Sequence, residues 1–291
     1  MSHTVVSALL LLSVGMVACT ETVDAPARTD VPPPAAESSD RGPSTTPAPP
    51  GATDPGTPPA TAPVDDPGAP PSGACSIAKG QFVTRDSSKS SYVAYVPKSY
   101  TGSPTRLLVV MHGCGDNAYN FAEWAGAPYA TRDDQTHITI SIDGASGGSG
   151  CWNIQQDTPK VLAAIEDVAK CVYVHQQKIV LGGFSSGGMI AYSIGMKNAD
   201  KFAGILIENS ALSSAGNADS LLAGAARKIP VAHVAHVQDS VFPIGKVRGD
   251  WSKMKAAGFP LMTEEMPGDH DGTTEDWAET LIPQMAGWQR P

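Results

Sequence analysis

From residue 75 to the end of the chain, apolar positions fall into two alternating kinds of pattern. Residues 91–96 (Ser-Tyr-Val-Ala-Tyr-Val) alternate with period two and stop at Pro97. Residues 107–111 form an unbroken apolar run, and 138–142, 179–181, 204–207 and 231–237 repeat that character. Continuous apolarity marks strands covered on both faces, whereas alternation marks strands with one face in water. Between the runs lie helical patterns at 161–172, 189–197 and 250–257, and a further one at 274–288 that Pro283 interrupts. Buried strands alternating with helices predict an α/β fold with a mostly parallel, doubly wound sheet and helices on both faces. No repeat and no second domain boundary is visible after Cys75.

The first 74 residues are a different kind of chain. An apolar run at 5–17 ends in Val17-Ala18-Cys19. It is short for a membrane-spanning helix and suits the core of a signal peptide at 1–18. The small residue ahead of a cysteine resembles a bacterial lipobox, which implies cleavage and lipidation at Cys19. The segment before the run carries His3 but no Lys or Arg, and Met16 stands where Leu is usual, so plain secretion is the alternative. Of the 25 prolines, 15 lie between Pro26 and Pro71, and no aromatic residue precedes Phe82. Such a segment has too little apolar surface to offset chain entropy, so 19–74 is expected to be an extended, solvated linker. The catalytic domain is expected at 75–291.

A net charge of −9 and a pI near 5.2 argue against nucleic acid as a partner, because phosphate neutralisation needs clustered Lys and Arg. The only membrane contact expected is the lipid anchor. With Cys19 acylated, Cys75, Cys114, Cys151 and Cys171 remain, an even number that suits an oxidising compartment and allows three pairings.

The chemistry is concentrated at 179–189, Ile-Val-Leu-Gly-Gly-Phe-Ser-Ser-Gly-Gly-Met. Gly183, Ser185 and Gly187 form Gly-x-Ser-x-Gly between an apolar strand and a helix. A tight strand-to-helix turn lifts a serine hydroxyl above the sheet edge, and its neighbours must lack side chains. Ser185 is therefore the expected nucleophile, at a helix N-terminus that favours developing negative charge. A neutral hydroxyl needs a base oriented by a carboxylate, in the order Ser, acid, His. Of the histidines after Ser185, His233 and His236 lie inside a strand pattern, so His270 in the loop at 267–272 is the expected base. Asp239, two residues beyond the strand at 231–237, is the expected acid. Asp269 and Asp271 compete, but immediate neighbours of a histidine seldom reach its Nδ1–H. The loop His112-Gly113-Cys114-Gly115 follows a strand where one oxyanion N–H arises, assigned to Cys114, and Ser186 would supply the second. His233 and His236 have no carboxylate or third histidine at ligand spacing, so no metal is expected. Neither is a cofactor.

With these residues in place the chain resembles the secreted esterases related to poly(3-hydroxybutyrate) depolymerases, feruloyl esterases and acetylxylan esterases. The resemblance rests on 92–97 (Tyr-Val-Ala-Tyr-Val-Pro), 110–115 (Val-Met-His-Gly-Cys-Gly), 150–153 (Gly-Cys-Trp-Asn) and the elbow at 183–188. It implies an α/β-hydrolase fold and a disulfide between Cys114 and Cys151, which leaves Cys75 to pair with Cys171. Relatives carry Gly-x-x-Asp around the acid, where this chain has Val237-Gln238-Asp239, and Gly-Gly-His followed closely by Trp around the base, where Asp269 precedes His270 and Trp277 lies seven residues on. Trp124 and Trp152 are candidates for substrate contact. The expected activity is hydrolysis of a carboxylic ester on a polymer or its fragments. A peptidase using the same three residues, and an inactive binding domain on a stalk, are the competing readings.

Overall fold

The computed structural model describes residues 65–73 and 75–291. The leader at 1–18, Cys19 and the greater part of the linker lie outside the described residues.

Eight strands form one sheet in the order β1-β2-β4-β3-β5-β6-β7-β8. They are β1 Phe82–Asp86, β2 Ser91–Tyr95, β3 Thr105–Met111, β4 Ile138–Ile142, β5 Val174–Phe184, β6 Gly204–Glu208, β7 Val231–His236 and β8 Leu261–Met266. The pairings from β4 through β8 are parallel, while β1 and β2 pair antiparallel at one edge. The expectation of a mostly parallel sheet with helices on both faces is met.

Alternate residues of each strand enter different cores. Leu107, Val109 and Met111 of β3 pack with Val161, Ile190, Ile194 and Trp251, which belong to helices α2 Ile154–Cys171 and α3 Ser186–Lys197 (α1 being the short helix Ala118–Phe121) and to the helix Ile244–Ala256. Leu108 and Val110 face the other way, onto Phe121, Trp277 and Leu281. Burial of both sets explains why the strands read as continuous apolar runs rather than as alternation. The short helix Ala118–Phe121, continued by a π turn at Ala122–Gly126, covers that second face together with the C-terminal segment.

The chain crosses from β3 to β4 in one direction and returns to place β5 on the opposite side of β3. The loops leaving the carboxyl ends of β3 and β5 therefore diverge and leave a crevice between them. The glycine-rich elbow and the His112–Gly115 loop both open into this position.

Five features differ from the sequence pattern. Strand β1 and the short helices Leu212–Ala215 and Ala218–Gly224 carry too few periodic positions to stand out. The C-terminal helical pattern is realised as a π turn Asp276–Leu281, a short α-helical turn Ile282–Gln284 and a 3-10 turn Met285–Gly287. Pro283 has no N–H for an ordinary helical bond, and the turn ahead of it is widened. Residues 65–73, assigned to the linker, run along the globular part. Gln176 donates its main-chain N–H to Pro67 at 3.0 Å, Tyr173 donates its hydroxyl to the Gly68 carbonyl at 2.8 Å, and Asp65 meets His175 at 2.9 Å. Composition marks a proline-rich segment as unable to fold alone, but does not forbid its end from docking on a surface that supplies partners.

The two disulfides join Cys114 to Cys151 and Cys75 to Cys171.

Candidate active site

The elbow is strained where chemistry needs an exposed hydroxyl. Ser185 has φ 55° and ψ −121°, a backbone region that residues with side chains rarely occupy. It persists because both of its peptides are held. Its N–H donates to the Glu208 carbonyl at 3.1 Å, and its carbonyl accepts from the Ser210 hydroxyl at 2.7 Å. The glycines are demanded by contact rather than by flexibility. A Cβ on Gly183 would come 2.2 Å from the Gly187 carbonyl oxygen, and one on Gly187 would come 1.9 Å from that of Met111.

From this turn the Ser185 hydroxyl lies 2.8 Å from His270 Nε2, and His270 Nδ1 lies 2.9 Å from Asp239 Oδ2. The first residue directly follows β5, the second lies in the loop after β8, and the third follows β7. Asp239 is buried, and its other oxygen accepts the N–H groups of Val241 at 2.7 Å and Phe242 at 2.8 Å. Those bonds leave Oδ2 for the imidazole. A carboxylate acceptor at Nδ1 puts the hydrogen there and leaves the Nε2 lone pair facing the serine hydroxyl. Phe184 stacks on the His270 ring at 5.1 Å and Phe242 flanks it at 5.6 Å, so the ring has little room to turn. Asp269 does not reach the imidazole. Its carboxylate accepts from the Ser240 N–H at 2.9 Å, the Ser240 hydroxyl at 3.0 Å and the His270 main-chain N–H at 2.8 Å, and these bonds hold it below the usual carboxylate range.

Residues 152–255, which include Ser185 and Asp239, match the model of the Phospholipase/Carboxylesterase family. No curated protein matches the chain. Among solved structures it is similar to the S-formylglutathione hydrolase FrmB of Staphylococcus aureus, with TM-score 0.57 and 13% identity over 70% of this chain and 94% of that one. It is also similar to a CE1 ferulic acid esterase of Anaeromyces mucronatus solved with ferulic acid, with TM-score 0.55 and 14% identity over 69% and 90% of the two chains. A third is the Staphylococcus aureus serine hydrolase FphF, with TM-score 0.53 and 12% identity over 70% and 96%. The chain has the α/β-hydrolase fold.

In this fold the loop after β3 abuts the elbow. A Cβ on Gly113 would lie 3.5 Å from that of Ser185 and 2.7 Å from the Phe184 ring. The adjoining Cys114 N–H belongs to this loop. The Ser186 N–H is the first of α3 and has no earlier turn of helix to bond to. Two side chains orient the loop. The His112 carbonyl accepts the Trp152 indole N–H at 2.8 Å, and the Gly113 carbonyl lies 2.7 Å from His112 Nδ1. The Cys114–Cys151 bridge and a 3.4 Å bond from the Gly115 N–H to the Gly150 carbonyl tie the same loop to the segment ahead of α2. That segment is anchored by the fully buried Asp157, which accepts the N–H groups of Asn153 at 2.8 Å and Ser146 at 3.0 Å.

The two candidate tryptophans differ in position. Trp152 is 5% exposed and lies against the loop after β3. Trp124 is half-buried, edge-on to Phe184 at 6.1 Å and against Gly272, close to the loop that carries His270.

The sequence pattern did not point to Glu208, Asn209, Ser210 or Asp276, all of which support the site. His236 is placed in the core as expected, yet it meets a carboxylate 40 residues away. Its Nε2 lies 2.9 Å from Asp276, and Glu208 completes a buried cluster whose ligand-type atoms lie within 4.8 Å of one another. Spacing along the chain could not reveal it. Burial and the neighbouring Asp276 carboxylate push the Glu208 carboxyl well above its usual range. The polar atoms of this cluster already have protein partners: Glu208 accepts from the Thr273 N–H and the Trp277 indole, and His236 Nδ1 faces the Asp269 carbonyl.

Proposed function

We propose that this chain is an exported serine hydrolase of carboxylic esters, with Ser185 as nucleophile, His270 as base and Asp239 as orienting acid. The observation that carries the reading is the unbroken relay Asp239–His270–Ser185, 2.9 and 2.8 Å long, on a strained elbow at a helix N-terminus. His270 takes the Ser185 proton as the hydroxyl attacks the ester carbonyl, and returns it to the leaving alcohol. The N–H groups of Cys114 and Ser186 stabilise the oxyanion, and water then releases the acid by the reverse proton path. No step calls for a cofactor. The solved ferulic acid esterase, with its bound ferulic acid, and the resemblance to polymer-acting esterases support an ester on a polyester or polysaccharide as the substrate class. An exposed Val241, two residues from the acid, offers an apolar contact beside the site.

Two disulfides support export to an oxidising compartment. Among the described residues no helix is long and apolar enough to cross a membrane. Lipidation of Cys19 would then be the anchor, with the proline-rich linker as spacer. The test is a panel of p-nitrophenyl, feruloyl, acetylated-xylan and hydroxybutyrate-oligomer esters, run on the chain and on Ser185→Ala. Turnover of at least one ester, lost in the variant, is expected. Cleavage surviving Ser185→Ala would overturn the reading.

A further inference from the structure

The base loop hangs from a buried polar cluster that the ester chemistry does not use. His236, the last residue of β7, is 3% exposed. Its Nδ1 lies 2.8 Å from the Asp269 carbonyl and its Nε2 lies 2.9 Å from Asp276. A carbonyl can only accept, so Nδ1 carries the hydrogen and donates it. The Asp269 carbonyl belongs to the peptide that leads directly into His270. Because that peptide is planar, fixing its oxygen fixes the plane from which the His270 side chain departs.

The Asp271–Gly272 peptide, two further on, is held as well. Asp271 accepts on its carbonyl from Asn209 Nδ2 at 2.7 Å, and Asn209 accepts the His236 main-chain N–H at 2.8 Å. Further along, Glu208 accepts the Thr273 N–H at 2.9 Å and the Trp277 indole at 2.6 Å, while its own carbonyl accepts the Ser185 N–H. The ends of β6 and β7 thus hold the turn that carries Ser185 and the loop that carries His270 on one rigid frame.

We propose that His236 is a positioning residue for the base: its Nδ1–H, aimed by Asp276 at Nε2, holds the Asp269–His270 peptide and sets where His270 Nε2 meets Ser185. This rests on the reading of His270 as the base. A histidine suits the task because its two nitrogens face opposite ways on a rigid ring and bridge a carbonyl to a buried carboxylate.

Two substitutions separate the two nitrogens. His236→Asn places an amide N–H near the position of Nδ1, and His236→Gln places one near Nε2. The readouts are the rate at which a fluorophosphonate labels Ser185, kcat and KM on a p-nitrophenyl ester, and the thermal midpoint. His236→Gln is expected to lose about 100-fold in labelling rate and kcat with KM nearly unchanged, while His236→Asn stays within about 5-fold of the parent, as displacement of a base by about an ångström implies. If His236→Gln does not fold, Asp276→Ala frees the same ring and should slow labelling about 10-fold. Labelling of His236→Gln, or of Asp276→Ala in its place, at the parent rate would overturn the proposal, as would equal loss in the Asn and Gln variants in step with their midpoints. If the parent labels at Ser185 yet cleaves no ester in the panel, the substrate reading fails and labelling still decides the role of His236. If the parent does not label at Ser185, the base assignment fails and this role fails with it.

Discussion

Trp152 donates its indole N–H to the His112 carbonyl at 2.8 Å, across 40 residues of chain. The bond fixes the peptide ahead of Gly113, and His112 Nδ1 fixes the next one through the Gly113 carbonyl. Orienting these peptides also orients the Cys114 N–H, the proposed oxyanion donor. Trp152→Phe keeps most of the buried ring and removes only the donor. It should lower kcat about 10-fold with KM nearly unchanged, because the loss falls on a donor that acts in the transition state. An unaltered kcat in a folded variant would assign Trp152 to packing alone.

Asp239→Asn should fold normally and lose turnover by about 10⁴-fold, since an asparagine favours the wrong imidazole tautomer. Asp269→Asn retains a side-chain oxygen for the Ser240 and His270 N–H groups, so its activity should stay within a few-fold of the parent. Steady-state kinetics on the two proteins decides between the carboxylates. Collapse in Asp269→Asn with a healthy Asp239→Asn would reverse the assignment.

The two disulfides should have separable effects. Cys114–Cys151 closes a loop of sequence separation 37 and holds the proposed oxyanion loop, whereas Cys75–Cys171 has a separation of 96 and ends at the last residue of α2, ahead of the start of β5, with Ser185 just beyond that strand's other end. Each is worth about 2–4 kcal/mol of stability in the usual range. Replacing Cys114 and Cys151 with serine should cut kcat beyond what the fall in thermal midpoint explains. Replacing Cys75 and Cys171 should lower the midpoint and leave kcat near the parent value.

Stability should decline in mild acid partly through His233. Burial lowers its value to about 3 from an ordinary 6.5. Its Nδ1 accepts from the Trp251 indole at 2.9 Å, and the Tyr192 hydroxyl lies at the same distance, so that nitrogen has no place for a proton. The unfolded chain binds a proton that the folded chain refuses. The resulting stabilisation is complete above pH 6.5 and drains away as pH falls from there toward 3. His233→Asn keeps an acceptor oxygen and does not titrate. Denaturant melts between pH 7 and 4 should show a shallower loss for His233→Asn, and parallel curves would remove His233 from the account.

Much of the scaffold was legible in the residues themselves because burial on both faces of a parallel strand leaves an unbroken apolar run. The run at 107–111 falls within β3, the pattern at 138–142 matches β4 to the residue, and Gly183, Ser185 and Gly187 announce the elbow because close backbone approach excludes any side chain there. The strand β1, the helices Leu212–Ala215 and Ala218–Gly224 and the docking of 65–73 were hidden, since each depends on contacts rather than on periodicity. Local sequence therefore determined the sheet, the elbow and the short set of residues able to serve as base and acid. Only tertiary structure decided that Asp269 holds its own loop while Asp239 faces the imidazole, and that Glu208, His236 and Asp276 converge behind it. Those relationships join strand ends far apart in the chain, and spacing along a sequence carries no record of which ends meet.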